Sequence, residues 1–246
     1  MTATTAGYTA GFYEQQRAGS ARSADLILPI VFHVVRPRSV VDVGCGTGTW
    51  LLSARRLGAA RTLGIDGHWV EALTANAGLE IRHGHFEEPI VLGETFDLAL
   101  CLEVAEHVSP GRARGLVSDL TRLAPNVLFS AAIPGQGGHL HLNEQWQSYW
   151  AGLFAEEGFG ARDIVRPQVR WRRGVEFWYR QNAILYSRGA PIVPPAQLDL
   201  VHPLQRVAWA VNAARKRRRA GIRPGSGHGP VGHDTTAVTS DRVGPR

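Results

Sequence analysis

Short aliphatic runs alternate along the chain with longer stretches of helical spacing. SVVDV (39–43) is a β-branched run that ends in a glycine-rich turn, and TWLLSARRLG (49–58) follows with helical periodicity and a closing Gly58. RTLGID (61–66) reads as a second strand, HWVEALTAN (68–76) as a second helix and LEIRHG (79–84) as a third strand. TFDLALCL (95–102) and NVLFSAAI (126–133) are the fourth and fifth. Between them SPGRARGLVSDLTRLAP opens with Ser109 as the expected helix cap and Pro110 at the first helical position. NEQWQSYWAGLFAEEG (143–158) has Asn143 as cap and Gly158 as stop, and ARDIVRP with VEFWYRQNAILYS (175–187) reads as a closing pair of strands. Strands alternating with helices predict an α/β protein with a doubly wound parallel sheet, which binds its ligand at the carboxyl ends of the strands.

Composition narrows this picture in a few places. A chain of 246 residues suits one full domain with appendages. Its two cysteines, Cys45 and Cys101, sit in apolar strand contexts and form no disulfide framework, which points to a reducing, cytoplasmic setting. The N-terminus lacks the basic and apolar regions of a signal peptide, and LILPIVFHVV (26–35) reads as too short to span a bilayer. The net charge of +6 is local: residues 190–246 hold nine Lys/Arg and three Asp/Glu, leaving 18 of each sign in residues 1–189. Residues 1–189 are therefore expected to be the domain, and 190–246 a basic tail rich in Pro, Gly and Arg, beginning with a short helix and ending in a segment with little to bury. A neutral body is not built to grip nucleic acid.

VVDVGCGTGTW (40–50) carries the strongest chemistry. Gly44, Gly46 and Gly48 lie between a buried strand and a helix, where glycine lets the backbone turn tightly and approach a ligand. Asp42 precedes them by two residues. Asp66 ends the second strand 20 residues after Gly46, where an acid can accept both hydroxyls of a ribose. A dinucleotide loop wants GxGxxG, and position 49 is Thr. With LGID, HGHFEEP and FDLALCLEVAEHV, this loop resembles that of the class I S-adenosylmethionine-dependent methyltransferases, over residues 13 to 187. The resemblance implies a mostly parallel, seven-stranded, Rossmann-like sheet with an antiparallel closing strand. It implies that Asp42, Gly44, Cys45, Gly46 and Gly48 pack against the methionine part of S-adenosylmethionine, that Asp66 holds the ribose, and that Leu102 and Glu103 border the cofactor. Members of that family usually carry Asp where this chain has His85, so the adenine contact falls among His85, Phe86 and Glu87. Tyr13, Ser20 and Ser23 stand where family N-terminal segments close over the cofactor, or form a helix lead-in.

The stretch CLEVAEH (101–107) brings Glu103, Glu106 and His107 past the end of the fourth strand. A helix starting at Glu103 puts all three on one face. In GQGGHLHLNEQW an extended HLH puts His139 and His141 on one side. Two carboxylates and two or three imidazoles then surround the place where an acceptor hydroxyl must lose its proton. A similar E-x-x-E-H turn with a later histidine is found in ubiquinone-pathway O-methyltransferases and small-RNA 2′-O-methyltransferases. That resemblance implies a divalent metal, Mg²⁺ or Mn²⁺, held by Glu103, Glu106, His107 and His139 or His141. The alternative is a histidine base drawn from His107, His139 and His141.

The remaining aromatic residues read as packing: Trp146, Tyr149 and Trp150 on a helix, and Phe177, Trp178 and Tyr179 in the sheet. The expected function is methyl transfer to a small molecule, a hydroxyl of a sugar-containing or aromatic metabolite. The alternatives are N-methylation of a small amine, or an RNA-binding or RNA-modifying enzyme working through the tail. No transmembrane segment is expected, and the sequence leaves the oligomeric state open.

Overall fold

A computed structural model describes residues 10–70, 78–192, 194, 197–207 and 209–211, with backbone alone for residues 10–17 and 69. Seven strands form one sheet in the order β3-β2-β1-β4-β5-β7-β6. They are β1 (Ser39–Val43), β2 (Arg61–Asp66), β3 (Ile81–His83), β4 (Leu98–Leu102), β5 (Asn126–Ser130), β6 (Phe159–Arg162) and β7 (Ile184–Arg188). β3, β2, β1, β4 and β5 run parallel, and β7 is antiparallel to both β5 and β6. The chain grows outward from β1 to β3 and then returns to pair β4 on the other side of β1. That reversal opens a crevice at the carboxyl ends of β1 and β4.

Strand alternation divides the core in two. Val41, Val43, Ala99, Cys101, Val127 and Phe129 face α3 (Ala113–Leu123) and α4 (Gln147–Glu156). Val40, Leu98, Leu100 and Leu128 face α1 (Ala10–Val35), α2 (Thr49–Arg56), α5 (Arg166–Val169) and α6 (Phe177–Asn182). Central strands covered on both faces must be apolar throughout, which is why SVVDV and LALCL lack the alternation of a half-exposed strand.

α1 is longer than its apolar run suggested. Over Ala18–Val35 it is long and apolar enough, by length and composition, to cross a membrane. Ala24, Ile27, Leu28 and Val31 nevertheless form a stripe at helical spacing that is fully buried in the core beside β1 and β4. Ser20 and Ser23 are interior helix residues rather than caps, and the Ser23 hydroxyl donates to the Gly19 carbonyl at 2.8 Å.

Other expectations change with tertiary contacts. VEFWYRQN is not a strand: Phe177–Asn182 is helical, and the sheet resumes at Ile184. On the helix, Tyr179 packs edge-on to Trp50 with ring centroids 5.1 Å apart, while Gln181 and Asn182 turn inward. β6 starts at Phe159, two residues before the expected strand. Asn143 is not a cap, because α4 begins at Gln147; Asn143 is buried and its side-chain oxygen accepts from Gln145. Ser109 stands at the N-cap of a 3₁₀ turn, Pro110–Arg112, but its hydroxyl donates to Glu87. Trp150 is core against Phe129, whereas Trp146 and Tyr149 are exposed. Of the expected second helix, His68–Val70 form a 3₁₀ turn and residues 71–77 lie outside the described residues, as does most of the tail. Past the expected boundary at residue 190, Leu198, His202 and Gln205 are buried.

Candidate active site

A cleft of about 1590 Å³ opens at the carboxyl ends of β1, β2 and β4. Its floor is the loop Gly44–Gly48. Gly44, Gly46 and Gly48 have φ of 81°, 49° and 73°, the left-handed region that side chains resist, so the alternating glycines follow from the backbone path. A Cβ on Gly44 would meet Val104 Cγ2 at 2.2 Å, while one on Gly46 would meet nothing within 4 Å. The first glycine serves packing and the second leaves room. The Gly44 and Cys45 amides donate to the Ile65 carbonyl at 2.8 and 3.2 Å, tying the loop to β2.

Asp66 accepts the Gly46 amide on one oxygen at 2.8 Å and the Gly67 amide on the other at 2.7 Å. Burial still raises its pKa to about 6, against the pull of those two amides. Asp42 is more isolated. Its Oδ2 is buried with no partner among the described residues, and burial, then the charge of Asp66, raises its pKa to about 8. Burial also pushes the Cys45 thiol up, so it stays neutral beside them. Two such acids lining one cleft suit a ligand that brings positive charge and hydroxyl donors. That chemistry fits S-adenosylmethionine, whose ribose offers hydroxyls and whose methionine part is cationic. Leu102, Glu103, His85, Phe86 and Glu87 also line the cleft. The Glu87 carboxylate is engaged by the Ser109 amide at 2.6 Å and the Ser109 hydroxyl at 2.7 Å. Tyr13 lies on α1, where side chains are not described.

The EVAEH segment does not start a helix at Glu103. Glu103 has φ of 56°, and a 3₁₀ turn covers Ala105–His107. Glu103 and Glu106 stay carboxyl to carboxyl, and His107 turns to the loop after β5. The Glu103 oxygens accept from Gln136 at 3.2 Å and Asn182 at 3.3 Å. Glu106 is 1% exposed, and its carboxyl meets the Glu103 carboxyl and the Ala132 amide. Burial first, then the charge of Glu103, holds its pKa well above the ordinary carboxylate range. The Glu106 carbonyl accepts the Leu142 and Asn143 amides at 2.8 and 3.0 Å, which draws the loop after β5 over the turn.

That loop delivers one histidine to the cluster, and it is His141. Leu140 has φ of 58°, so HLH is bent rather than extended, and His139 is exposed at the rim of the cleft. The His107 and His141 rings meet edge to face at 4.9 Å. His107 Nδ1 is 3.3 Å from the Leu140 carbonyl and His141 Nδ1 is 2.9 Å from Glu144 Oε1. Both partners accept, so each Nδ1 carries a proton. Burial first, with His141 nearby, lowers the His107 pKa to about 4. Ligand atoms of Glu106, His107 and His141 lie within 4.8 Å of one another. A carboxyl and two imidazoles fit a divalent ion with open positions. Sequence reasoning missed Gln136, Asn182 and Glu144. Neutral amides and a loop acid carry no motif, and only the packing of α6 against the loop brings them to the site.

Residues 13–162 match the family model for a methyltransferase domain. Ribosomal protein L11 methyltransferase of Yersinia pseudotuberculosis is 30% identical over 139 residues, covering 55% of this chain and 44% of that protein. The chain thus spans less than half the length of the curated relatives it matches. Among solved structures, DesVI of Streptomyces venezuelae aligns with a TM-score of 0.57 at 13% identity, covering 74% of this chain and 98% of that one. CalS10, an amino pentose methyltransferase from Micromonospora echinaspora solved with S-adenosylmethionine bound, aligns with a TM-score of 0.55 at 14% identity, covering 74% and 98%. With its glycine loop, its strand order and more than half its length matched, the chain belongs to the methyltransferase domain family and has the class I, S-adenosylmethionine-dependent methyltransferase fold.

Proposed function

We propose that this methyltransferase moves the methyl group of S-adenosylmethionine to a hydroxyl of a small sugar-containing or aromatic metabolite. We further propose that Glu106, His107 and His141 act on that hydroxyl. The observation that carries this reading is Glu106: a buried carboxyl paired with the Glu103 carboxyl, with ligand atoms of His107 and His141 within 4.8 Å. Burying such a group is costly, and the fold retains it at the acceptor side of the cleft. On the cofactor side, Asp66 and Asp42 receive the hydroxyls and the positive charge, Gly46 leaves the space, and His85 or Phe86 borders the adenine.

An acceptor hydroxyl must lose its proton as it attacks, and the His107 imidazole, held neutral by burial, can accept it, with His141 beside it. The same three groups would hold a divalent cation, which when bound polarises a hydroxyl and lowers its pKa. Two imidazoles favour Mn²⁺ or a later metal over Mg²⁺. His141 takes the place expected for His139, and Glu103 stands behind the cluster. Arg82 is the one arginine lining the cleft among the described residues, and it pairs with Glu80 and Glu94, which supports a small molecule over a polyphosphate chain.

The test is a cofactor-consumption assay against a panel of sugars, catechols, diols and amines, with and without chelator. Turnover with a hydroxyl acceptor supports the reading. Loss of that turnover with chelator, and its return with Mn²⁺ or Co²⁺, selects the cation over the histidine base. Turnover confined to amines overturns it.

A further inference from the structure

The loop Gly135–Glu144 carries His141 and Gln136, so whatever holds it sets the acceptor side of the site. Inside the loop the hub is Glu144. Its oxygens accept the Gly135 amide at 2.7 Å, the Gly137 amide at 2.9 Å and His141 Nδ1 at 2.9 Å. From outside, the loop is gripped by the segment Leu198–Gln205, which follows the last strand. The Gln205 amide donates to the Gly135 carbonyl at 3.3 Å. The His202 backbone amide donates to Gln181 Oε1 at 3.0 Å, Gln181 Nε2 to Gln136 Oε1 at 3.1 Å, and Gln136 Nε2 to Glu103 Oε2 at 3.2 Å. That is an unbroken line of donors and acceptors from the segment to an acid of the site. Gln181, His202 and Gln205 are 2%, 4% and 3% exposed, so the strap side of this line is kept out of water.

The segment is itself anchored. Asp199 accepts the Ser148 amide and hydroxyl, each at 2.7 Å, Gln147 donates to the Leu200 carbonyl at 3.3 Å, and Arg166 to the Leu198 carbonyl at 2.8 Å. His202 donates from Nε2 to the Arg170 carbonyl at 2.8 Å and accepts the Leu204 amide on Nδ1 at 3.2 Å, which leaves its ring one tautomer. Buried amides at this density mean that the segment has one seating.

We propose that Leu198–Gln205 is a positioning strap of the active site. Gln205 and Gln181 hold the loop from behind, so that Glu144 fixes the His141 ring through Nδ1 beside Glu106 and His107, while Gln136 holds Glu103. The inference rests on the reading of Glu106, His107 and His141 as the acceptor site. It adds that this site is completed by residues beyond the last strand of the sheet.

The experiment uses the full chain carrying Gln205→Met, which keeps the volume and removes the donor. Gln147→Met loosens the strap at its other anchor and serves where Gln205→Met does not fold. Ring ¹⁵N shifts of His141 report its tautomer, Co²⁺ absorption titration reports the cluster, and calorimetry reports S-adenosylmethionine affinity. The expected result is that His141 exchanges between tautomers and Co²⁺ affinity falls roughly 10–100-fold, the range for lost outer-shell support. S-adenosylmethionine affinity stays within about twofold, since Asp66 and the glycine loop sit on other strands. An unchanged His141 tautomer, or equal losses of Co²⁺ and cofactor affinity, overturns the strap. If the unaltered protein binds no Co²⁺, the cation reading fails by itself, and the ¹⁵N result alone decides the strap.

Discussion

At the scale of single residues, the cleft is a set of acids kept out of water. Asp66 meets the ribose through a charge-assisted hydrogen bond in this reading. Asp66→Ala should weaken S-adenosylmethionine binding by ~1–3 kcal/mol, measured by calorimetry. Asp42 gives a pH signature. Its folded pKa, about 8, lies above the ordinary aspartate value, so its contribution to stability is complete below pH ~4 and is lost as pH rises toward 8. Asp42→Asn should therefore flatten the fall in melting temperature of the ligand-free protein across that range. A parallel fall in both proteins would place the burden on another group. Glu106 follows the same sign, since its pKa is raised by burial. Glu106→Gln should melt higher than the unaltered protein at pH ~7.5, with the gap closing toward pH ~4.5, while turnover is abolished and S-adenosylmethionine still binds. A variant that melts lower throughout would show that the contacts of this carboxyl with Glu103 and Ala132 outweigh its burial.

At the scale of elements, the site depends on where helices and turns begin. The glycine loop turns β1 into α2 through three left-handed positions, and Gly44 also lies against Val104. Gly44→Ala forces both a strained φ and a clash with the start of the EVAEH turn, so cofactor binding should fall below detection by calorimetry even where the variant folds. α1 closes the other face. Leu28 is fully buried there, and Leu28→Ala should cost ~2–5 kcal/mol in denaturant unfolding. A loss under ~1 kcal/mol would mean that α1 is a loose cover rather than core. In sequence LILPIVFHVV showed only as an apolar run too short to span a bilayer, and its buried face appeared with the fold. The extent of the helix did not show, because the polar half, YEQQRAGSARSA, has no period of its own.

For the molecule as a whole, ligand and fold are linked. S-adenosylmethionine at ~100 times its Kd should add about 2.7 kcal/mol, or roughly 5–10 °C in melting temperature for a domain this size, and NAD should add nothing. The reverse ranking would contradict the family assignment. Sequence by itself determined the α/β alternation, the glycine loop with Asp42 and Asp66, and the presence of acids and histidines after β4 and β5. These are local properties: strand and helix periods, and glycines at positive φ, are written within a few consecutive residues. It did not determine that FWYRQN is helical, that Glu103 meets Gln136 and Asn182 as well as Glu106, that His141 rather than His139 joins His107, or that Gln205 reaches back to Gly135. Each of these is settled by contacts between residues tens of positions apart. The aromatic run has strand propensity, but Trp50 and the polar interior reward a helix there. The bend at Leu140 breaks the alternation that would have paired the two histidines. The tertiary structure decided which of several equivalent polar groups were buried together, because desolvation depends on what the chain folds against and not on its neighbours in sequence.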